Sequence, residues 1–445
     1  MLELFRHRLF RKLYAAQVVS LLGTGLATVA LGLLAFDLAG PKAGAVLGTA
    51  LAIKMVAYVG VAPVAQALLG RFPAKSVLIT LDLIRAAIAL MLPFVTEIWQ
   101  VYTLIFLLQS ASAGFTPTFQ ALIPDILPAE RQYTRALSLS RMTYDLEHLA
   151  SPMLAAALLT MISFHWLFAG TALGFILSAA FVLGTPLKPR EKPPVTQSFL
   201  SRVSGGTRIY LATPRLRGLL ALNFAAAAGS AMILVNTIVI TRSLYGYQAE
   251  SVGIALGAFG AGSMVAALGL PKLLDKTGDR IPMLSGSILL TATMFAGAML
   301  FTGLPDFNLF LALWAVAGLG YSAILTPAGR LLRRSSNAAE RPALFAAQFA
   351  LSHACWLVTY PLAGWIGGAF SISVAFAILG ILAAVAIAVS FRFWPHQVDP
   401  KLEHTHADLP PDHPHLQNSE PHRDGFYHTH TFMIDDLHHH WPTRG

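Results

Sequence analysis

Twelve apolar runs, each about as long as a bilayer is thick, constrain this chain more than any other feature. They fall at roughly 13–36, 44–69, 76–95, 99–120, 136–163 and 165–184, and then at 216–241, 251–274, 283–303, 307–331, 342–367 and 370–394. A hydrocarbon core of about 30 Å needs about 20 helical residues to cross it. The runs lack the strict in–out alternation of barrel strands. Helices remain, because lipid offers the backbone no hydrogen-bond partner and a helix satisfies its own. Composition agrees: charged residues are 12% of the chain and hydrophobic residues 55%, whereas a soluble globular chain has about 25% charged residues. The expected fold class is an all-α integral membrane protein of twelve transmembrane helices. The basic start, Met1 to Lys12, has no small-residue cleavage site behind it and reads as retained. Cys355 is the single cysteine, in an apolar run, so no disulfide framework or CxxC site is expected.

Sidedness follows from the cations. With a cytoplasmic N-terminus, 26 of the 31 Lys and Arg fall on the cytoplasmic side; Lys42 and Arg242 fall outside, and Lys54, Arg85 and Arg141 lie within spans. The positive-inside rule then places both termini in the cytoplasm. The net charge of +9 is accounted for by topology and calls for no nucleic-acid partner.

The halves echo each other. A Pro-rich basic connector, 185–214, separates a six-helix bundle (1–184) from a second one (215–394), and a tail (395–445) follows. Leu68-Leu69-Gly70-Arg71 follows span 2 as Leu273-Leu274-Asp275-Lys276 follows span 8. Pro117 answers Pro327, and Glu130-Arg131 answers Glu340-Arg341, all at an offset of about 205 to 210 residues. A six-plus-six repeat is the plan of secondary transporters whose site lies between the halves near mid-membrane.

On these residues the chain resembles the major facilitator superfamily. The stretch Gly269 to Arg280 is similar to that family's signature loop, with Asp275, Lys276, Gly278 and Arg280 in the expected places. Its counterpart in the first half keeps Arg71 and Lys75 but has Gly70 where the family usually has an acid. The runs Phe115-Thr116-Pro117 and Leu122-Ile123-Pro124, with Gly206, Arg208, Tyr210, Pro214 and Arg217, resemble the branch of siderophore, macrolide and metal exporters. The resemblance implies two pseudo-symmetric six-helix halves working by alternating access.

The tail changes character abruptly. Its 51 residues hold 11 of the chain's 15 histidines. His404-x-His406, His413-x-His415, His428-x-His430 and the triplet His438-His439-His440 are joined by His422, with eight acids among them. Neutral imidazole is a good ligand for Ni²⁺, Zn²⁺, Co²⁺ and Cu²⁺, and the Pro-rich polar composition predicts a disordered segment that wraps its metal. An incidental His-rich end and an expression tag are the competing readings; the scattered pairs speak against a tag. A facilitator-type body with such a tail resembles the bacterial nickel-resistance exporters of the NreB type, as does the opening Arg8-Leu9-Phe10-Arg11-Lys12-Leu13-Tyr14-Ala15. That resemblance implies efflux of nickel, with cobalt as a second cargo, driven by protons across a bacterial inner membrane. No cofactor beyond the transported metal is expected, and the chain is expected to act as a monomer.

Ionisable residues inside spans cost about 2.5–3.5 kcal/mol each on insertion scales. Span 5 opens with Arg141, Tyr144, Asp145, Glu147 and His148. At about 100° per residue, Arg141, Asp145 and His148 share a face within about 60°, flanked by Tyr144, while Glu147 points about 160° from Asp145. Carboxylate and imidazole both bind either a metal or a proton, so this face is a candidate relay. A self-neutralising Arg141–Asp145 pair at i, i+4 is the structural alternative. His353 occupies the equivalent place in span 11 and could face it. Lys54, in mid-span 2, needs a carboxylate such as Asp145 or Glu147, or water. Asp82 and Arg85, spaced i, i+3, read as a structural pair. Asn223 and Asn236 either line the pathway or bond between helices. An exporter of an organic solute such as a siderophore or drug, and a metal-buffering membrane protein, are the rival functions. No P-loop or nucleophile constellation points to an enzyme.

Overall fold

The computed structural model describes residues 2–61, 72–127, 150–186, 199–336, 341–394, 401–406, 420–422 and 425–431, with the single residues 69, 132, 136, 139, 143 and 438. The first half comprises α1 (Arg8–Ala39), α2 (Ala43–Val56), α3 (Ala74–Met91), α4 (Ile98–Ile126), the described part of α5 (Ala150–Leu159) and α6 (His165–Leu183). After the connector helix α7 (Phe199–Ala212) come α8 (Pro214–Val239), α9 (Glu250–Thr277), α10 (Arg280–Leu300), α11 (Phe307–Leu325), the short α12 (Ala328–Arg334), α13 (Arg341–Ala369) and α14 (Ile372–Phe393).

Among the described residues, ten helical stretches are long and apolar enough to cross a bilayer. The first, Arg8–Val61, has 54 residues, about 80 Å at 1.5 Å per residue and far more than one crossing. It turns back at Gly40, whose φ of +53° suits a residue without a Cβ, followed by Pro41, which has no N–H to donate. It therefore makes two crossings, and Ala150–Leu159 marks the expected span 5. Leu83, Leu173, Leu268, Ile288 and Met299 stand exposed on the outside; lipid, not water, is the solvent that tolerates such a belt.

Small residues let the helices approach closely. Within the first half, a Cβ on Gly23 of α1 would lie 3.0 Å from the Thr171 carbonyl of α6. Between the halves, a Cβ on Gly48 of α2 would lie 2.5 Å from the Tyr360 carbonyl of α13, and Gly364 backs directly onto Gly44. In lipid, helix association relies on such van der Waals fit, since burial of apolar surface gains nothing over hydrocarbon.

The connector contains more order than its Pro-rich, basic composition conveys. Helix α7 docks on α13, with Gly206 against the Ala343 backbone and the Tyr210 hydroxyl donating to Gln348 Oε1 at 2.5 Å. Burial, with the Cys355 thiol nearby, pushes the Tyr210 hydroxyl above its ordinary range, so it remains a donor.

The tail differs from the expected disordered segment. It carries three strands, β1 (Lys401–His406), β2 (Glu420–His422) and β3 (Gly425–Thr431), in an antiparallel sheet of order β1-β3-β2. The cause is local: Gly425-Phe-Tyr-His-Thr-His-Thr431 carries aromatic and β-branched residues that suit a pleated surface. An average over a Pro- and His-rich tail conceals it.

Candidate functional site

The halves meet through an aromatic and cationic cluster. Lys54 of α2 extends its Nζ to 5.8 Å from the Tyr58 ring centroid, one turn on. Tyr58 contacts two rings of α13: His353 at 5.5 Å between centroids and Phe349 at 5.9 Å. His353 Nδ1 lies 2.7 Å from the Phe349 carbonyl. A carbonyl only accepts, so Nδ1 carries the hydrogen, and Nε2 is the ring's acceptor nitrogen in the neutral form. Trp356, next along α13, donates its indole N–H to Ser230 Oγ of α8 at 2.9 Å. Lys54 also borders a gap of about 20 Å³ lined by Thr24, Thr28, Gln109 and Ser112. That is room for about one water, in a lining that is mostly apolar, with Ala27, Leu31, Leu51, Ile105, Leu108 and Phe175 beside those four polar residues.

Toward the α1–α2 turn the halves are closed. Asn236 of α8 donates from Nδ2 to the Ala363 carbonyl of α13 at 3.0 Å. Its Oδ1 lies where a Cβ on Gly44 or Gly367 would come within 3.0 or 2.8 Å. Trp365 Nε1 donates to Thr49 Oγ1 at 3.1 Å across the same contact. Asn236, expected either to line a pathway or to bond between helices, sits in this seal.

The loop after α9 is a charge network. Gly278 turns the chain at φ +72°, and Arg330 of α12 reaches Asp275 at 3.2 Å and Asp279 at 3.1 Å. Arg334 reaches the other Asp279 oxygen at 3.1 Å. Arg280 donates from Nε to the Trp394 carbonyl at 3.0 Å, at the end of α14. Lys276 is exposed. The loop after α9 is thus tied into α12, beside two sets of helices that meet at the Lys54–Tyr58–His353 junction. The Major Facilitator Superfamily profile matches residues 13–300 and 219–418.

The chain belongs to the Major Facilitator Superfamily.

It is therefore a multi-span membrane transporter and not an enzyme. Among curated relatives, the uncharacterized MFS-type transporter YfiS of Bacillus subtilis (strain 168) is 26% identical over 328 residues, covering 71% of this chain and 76% of that one. Macrolide efflux protein A of Streptococcus pyogenes is 26% identical over 178 residues, 39% of this chain and 43% of that one. Among solved structures, a bacterial homolog of the human lysosomal transporter Spinster, in an inward-facing and unoccupied conformation, superposes with a TM-score of 0.68 at 13% identity. That match covers 88% of this chain and 99% of the other. The D-xylose–proton symporter gives 0.65 at 14% identity over 87% and 98%. At such identities the superpositions establish the fold.

Within this facilitator, the remaining expected residues fall as follows. Arg141, Tyr144, Asp145, Glu147 and His148 lie outside the described residues, and so do the carboxylates expected to pair with Lys54. Among the described residues, no group of three or more His, Cys, Asp or Glu is placed to hold a metal. Asp82 and Arg85 form a buried ion pair, with the Arg85 guanidinium between Phe115 at 4.0 Å and Phe175 at 4.3 Å. That pair braces α3, α4 and α6. Asn223 is fully buried in α8, and among the described residues neither of its amide atoms has a hydrogen-bond partner. In the tail, His404, His406, His422, His428 and His430 are on strands, and His438 is buried. His413, His415, His439 and His440 lie outside the described residues.

Two residues were missed in the sequence. Tyr58 reads as one more aromatic in an apolar run, and only its place one turn after Lys54 singles it out. Asp279, with a side chain 4% exposed, lies beside the motif positions, and its acidity next to Gly278 was the available signal.

Proposed function

We propose that this transporter exports a divalent transition-metal cation, nickel foremost and cobalt second, from the cytoplasm in exchange for protons. Both termini then lie on the cytoplasmic side of a bacterial inner membrane. The observation that carries this reading is the tail, with 11 histidines in 51 residues attached to a facilitator body. Imidazoles that are neutral at cytoplasmic pH collect such ions, and a tethered donor raises the local metal concentration at the transporter's mouth. Asp145 and His148 are assigned to exchange metal for protons. His353 joins them as the residue at the junction with an acceptor nitrogen, and Lys54 supplies a counter-charge.

One rival has an observation of its own. Similarity to a macrolide efflux protein supports export of an organic solute.

The deciding measurement is nickel uptake into everted vesicles under an imposed proton gradient. The full chain, a truncation after Trp394, Asp145→Asn and His353→Ala are compared. Gradient-dependent uptake is expected in the full chain, reduced by truncation and abolished by Asp145→Asn. No uptake by the full chain, with nickel still bound by the tail, removes the metal-export reading and leaves the organic solute or a buffering role.

A further inference from the structure

A groove on the outside of the second half lies between α10 and α14, which pack side by side. The two helices run antiparallel. Ser373, at the start of α14, donates to the Ala298 carbonyl near the end of α10 at 2.6 Å. Arg280, at the start of α10, donates to the Trp394 carbonyl just past α14. A Cβ on Gly380 would lie 3.2 Å from Met294, so the helices touch there. Next to this contact is a gap of about 300 Å³, walled by the small Ala292 and Ala384 with Ile288, Thr291, Phe295 and Ile387. Ile288, Phe295, Ile381 and Val385 are exposed, so the groove opens onto the apolar belt, where the solvent is lipid.

One end of the groove is cationic. Phe391 continues the stripe of Ala384 and Ile387 along α14, seven and four residues on. The Arg280 guanidinium lies 5.5 Å from the Phe391 ring, and the exposed Arg392 is the next residue. Arg280 spends its Nε hydrogen on Trp394; among the described residues, neither of its Nη atoms is in a hydrogen bond or ion pair, which leaves four of its five donors. The neighbouring acid, Asp279, is held by Arg330 and Arg334 and does not neutralise it. Ile288 and Phe295 follow Arg280 in α10 by about 12 and 22 Å at 1.5 Å per residue. Half of a bilayer's hydrocarbon core is about 15 Å, so a chain descending from a headgroup at Arg280 enters the groove. An amphiphile with an anionic head and an apolar tail matches both parts. A free anion leaves the groove empty, and a lipid without net charge leaves the arginines uncompensated.

We propose that the α10–α14 groove is a binding site for one anionic phospholipid, with an acyl chain along Ala292 and Ala384 and the headgroup phosphate on Arg280 and Arg392. Arginine donors suit phosphate oxygens, and basic pockets between membrane helices hold anionic headgroups. The site faces lipid, away from the junction of the halves, so it is independent of which solute is carried.

The test is native mass spectrometry of the full-length detergent-purified chain, titrated with phosphatidylglycerol or with phosphatidylcholine of the same acyl chains. The unmutated chain is expected to hold one phosphatidylglycerol about tenfold tighter than phosphatidylcholine, from two arginines on one headgroup. Arg280→Gln with Arg392→Gln is expected to abolish that preference. Arg6→Gln with Arg8→Gln removes the same charge from exposed positions in the first half and should change it by less than about twofold, since surface charge alone is screened. Ala292→Phe fills the groove and keeps every arginine. Ala292 is exposed to lipid, so an apolar replacement there leaves the helix packing in place. It is expected to weaken binding of both lipids about fivefold or more, through loss of the chain's contacts. Equal affinity of the unmutated chain for the two lipids, equal losses from the two arginine pairs, or unchanged binding by Ala292→Phe would each overturn the site.

Discussion

The two halves brace the same end of the bundle in ways that are partly shared and partly different. In the first half, Lys75, at the start of α3, donates to the Thr185 carbonyl just past α6 at 3.0 Å. In the second, Arg280, at the start of α10, donates to the Trp394 carbonyl just past α14 at 3.0 Å. The two pairs are related by the same offset of about 205 to 210 residues that relates the halves in sequence. A cation on the last carbonyls of a helix satisfies orphan acceptors and opposes the helix dipole. Lys12 adds a further bond of this kind, to the Gly184 carbonyl at 2.6 Å. The second half alone, among the described residues, adds an acid–arginine network: Asp275 and Asp279 against Arg330 and Arg334. The shared brace reads as architecture. The network is built from ion pairs that a sliding helix can break and remake, which suits a part that changes between states.

This contrast can be broken experimentally. The largest effect is expected from Asp279→Ala. Its carboxylate is buried while the arginine partners are 34% and 58% exposed. The cost should fall between the values for buried and surface pairs, about 2 kcal/mol. Transport should drop about tenfold or more in the same variant, a loss of that size corresponding to about 1.4 kcal/mol. A variant with wild-type vesicle transport and thermal unfolding would remove the network from the mechanism.

Arg280→Ala and Lys75→Ala should each cost about 0.5–1 kcal/mol in thermal unfolding, and by similar amounts, because each loses one charged bond to a helix end. Unequal losses would show that the repeat no longer equates the two positions. The smallest effect is expected from Asp275→Asn. With a side chain 79% exposed, its pair is a surface ion pair, worth about 0–1 kcal/mol and screened by salt. The difference from wild type should vanish as ionic strength is raised, while that of Asp279→Ala persists.

Legibility of the chain divides along a physical line. Runs of apolar length and the six-plus-six echo are one-dimensional properties, and the first follows directly from what a bilayer admits. The helical body of a Major Facilitator Superfamily transporter was therefore readable. The site was readable only as residue types. Lys54 and His353 stood out by their cost in lipid, but their common partner Tyr58 did not, because an aromatic carries no such cost. Asn236 offered two roles of equal standing until its neighbours Gly44, Ala363 and Gly367 were placed around it.

The amino-acid order alone thus determined where the chain crosses the membrane, how many times, that two related halves result, and that a metal-binding type of side chain is concentrated at one end. Tertiary structure decided which helices of opposite halves touch and that Asp279 gathers two arginines. The physical reason is that crossing a bilayer is a demand each helix meets through its own composition. A contact between residues hundreds of positions apart depends on close packing, which only the assembled helices and strands supply.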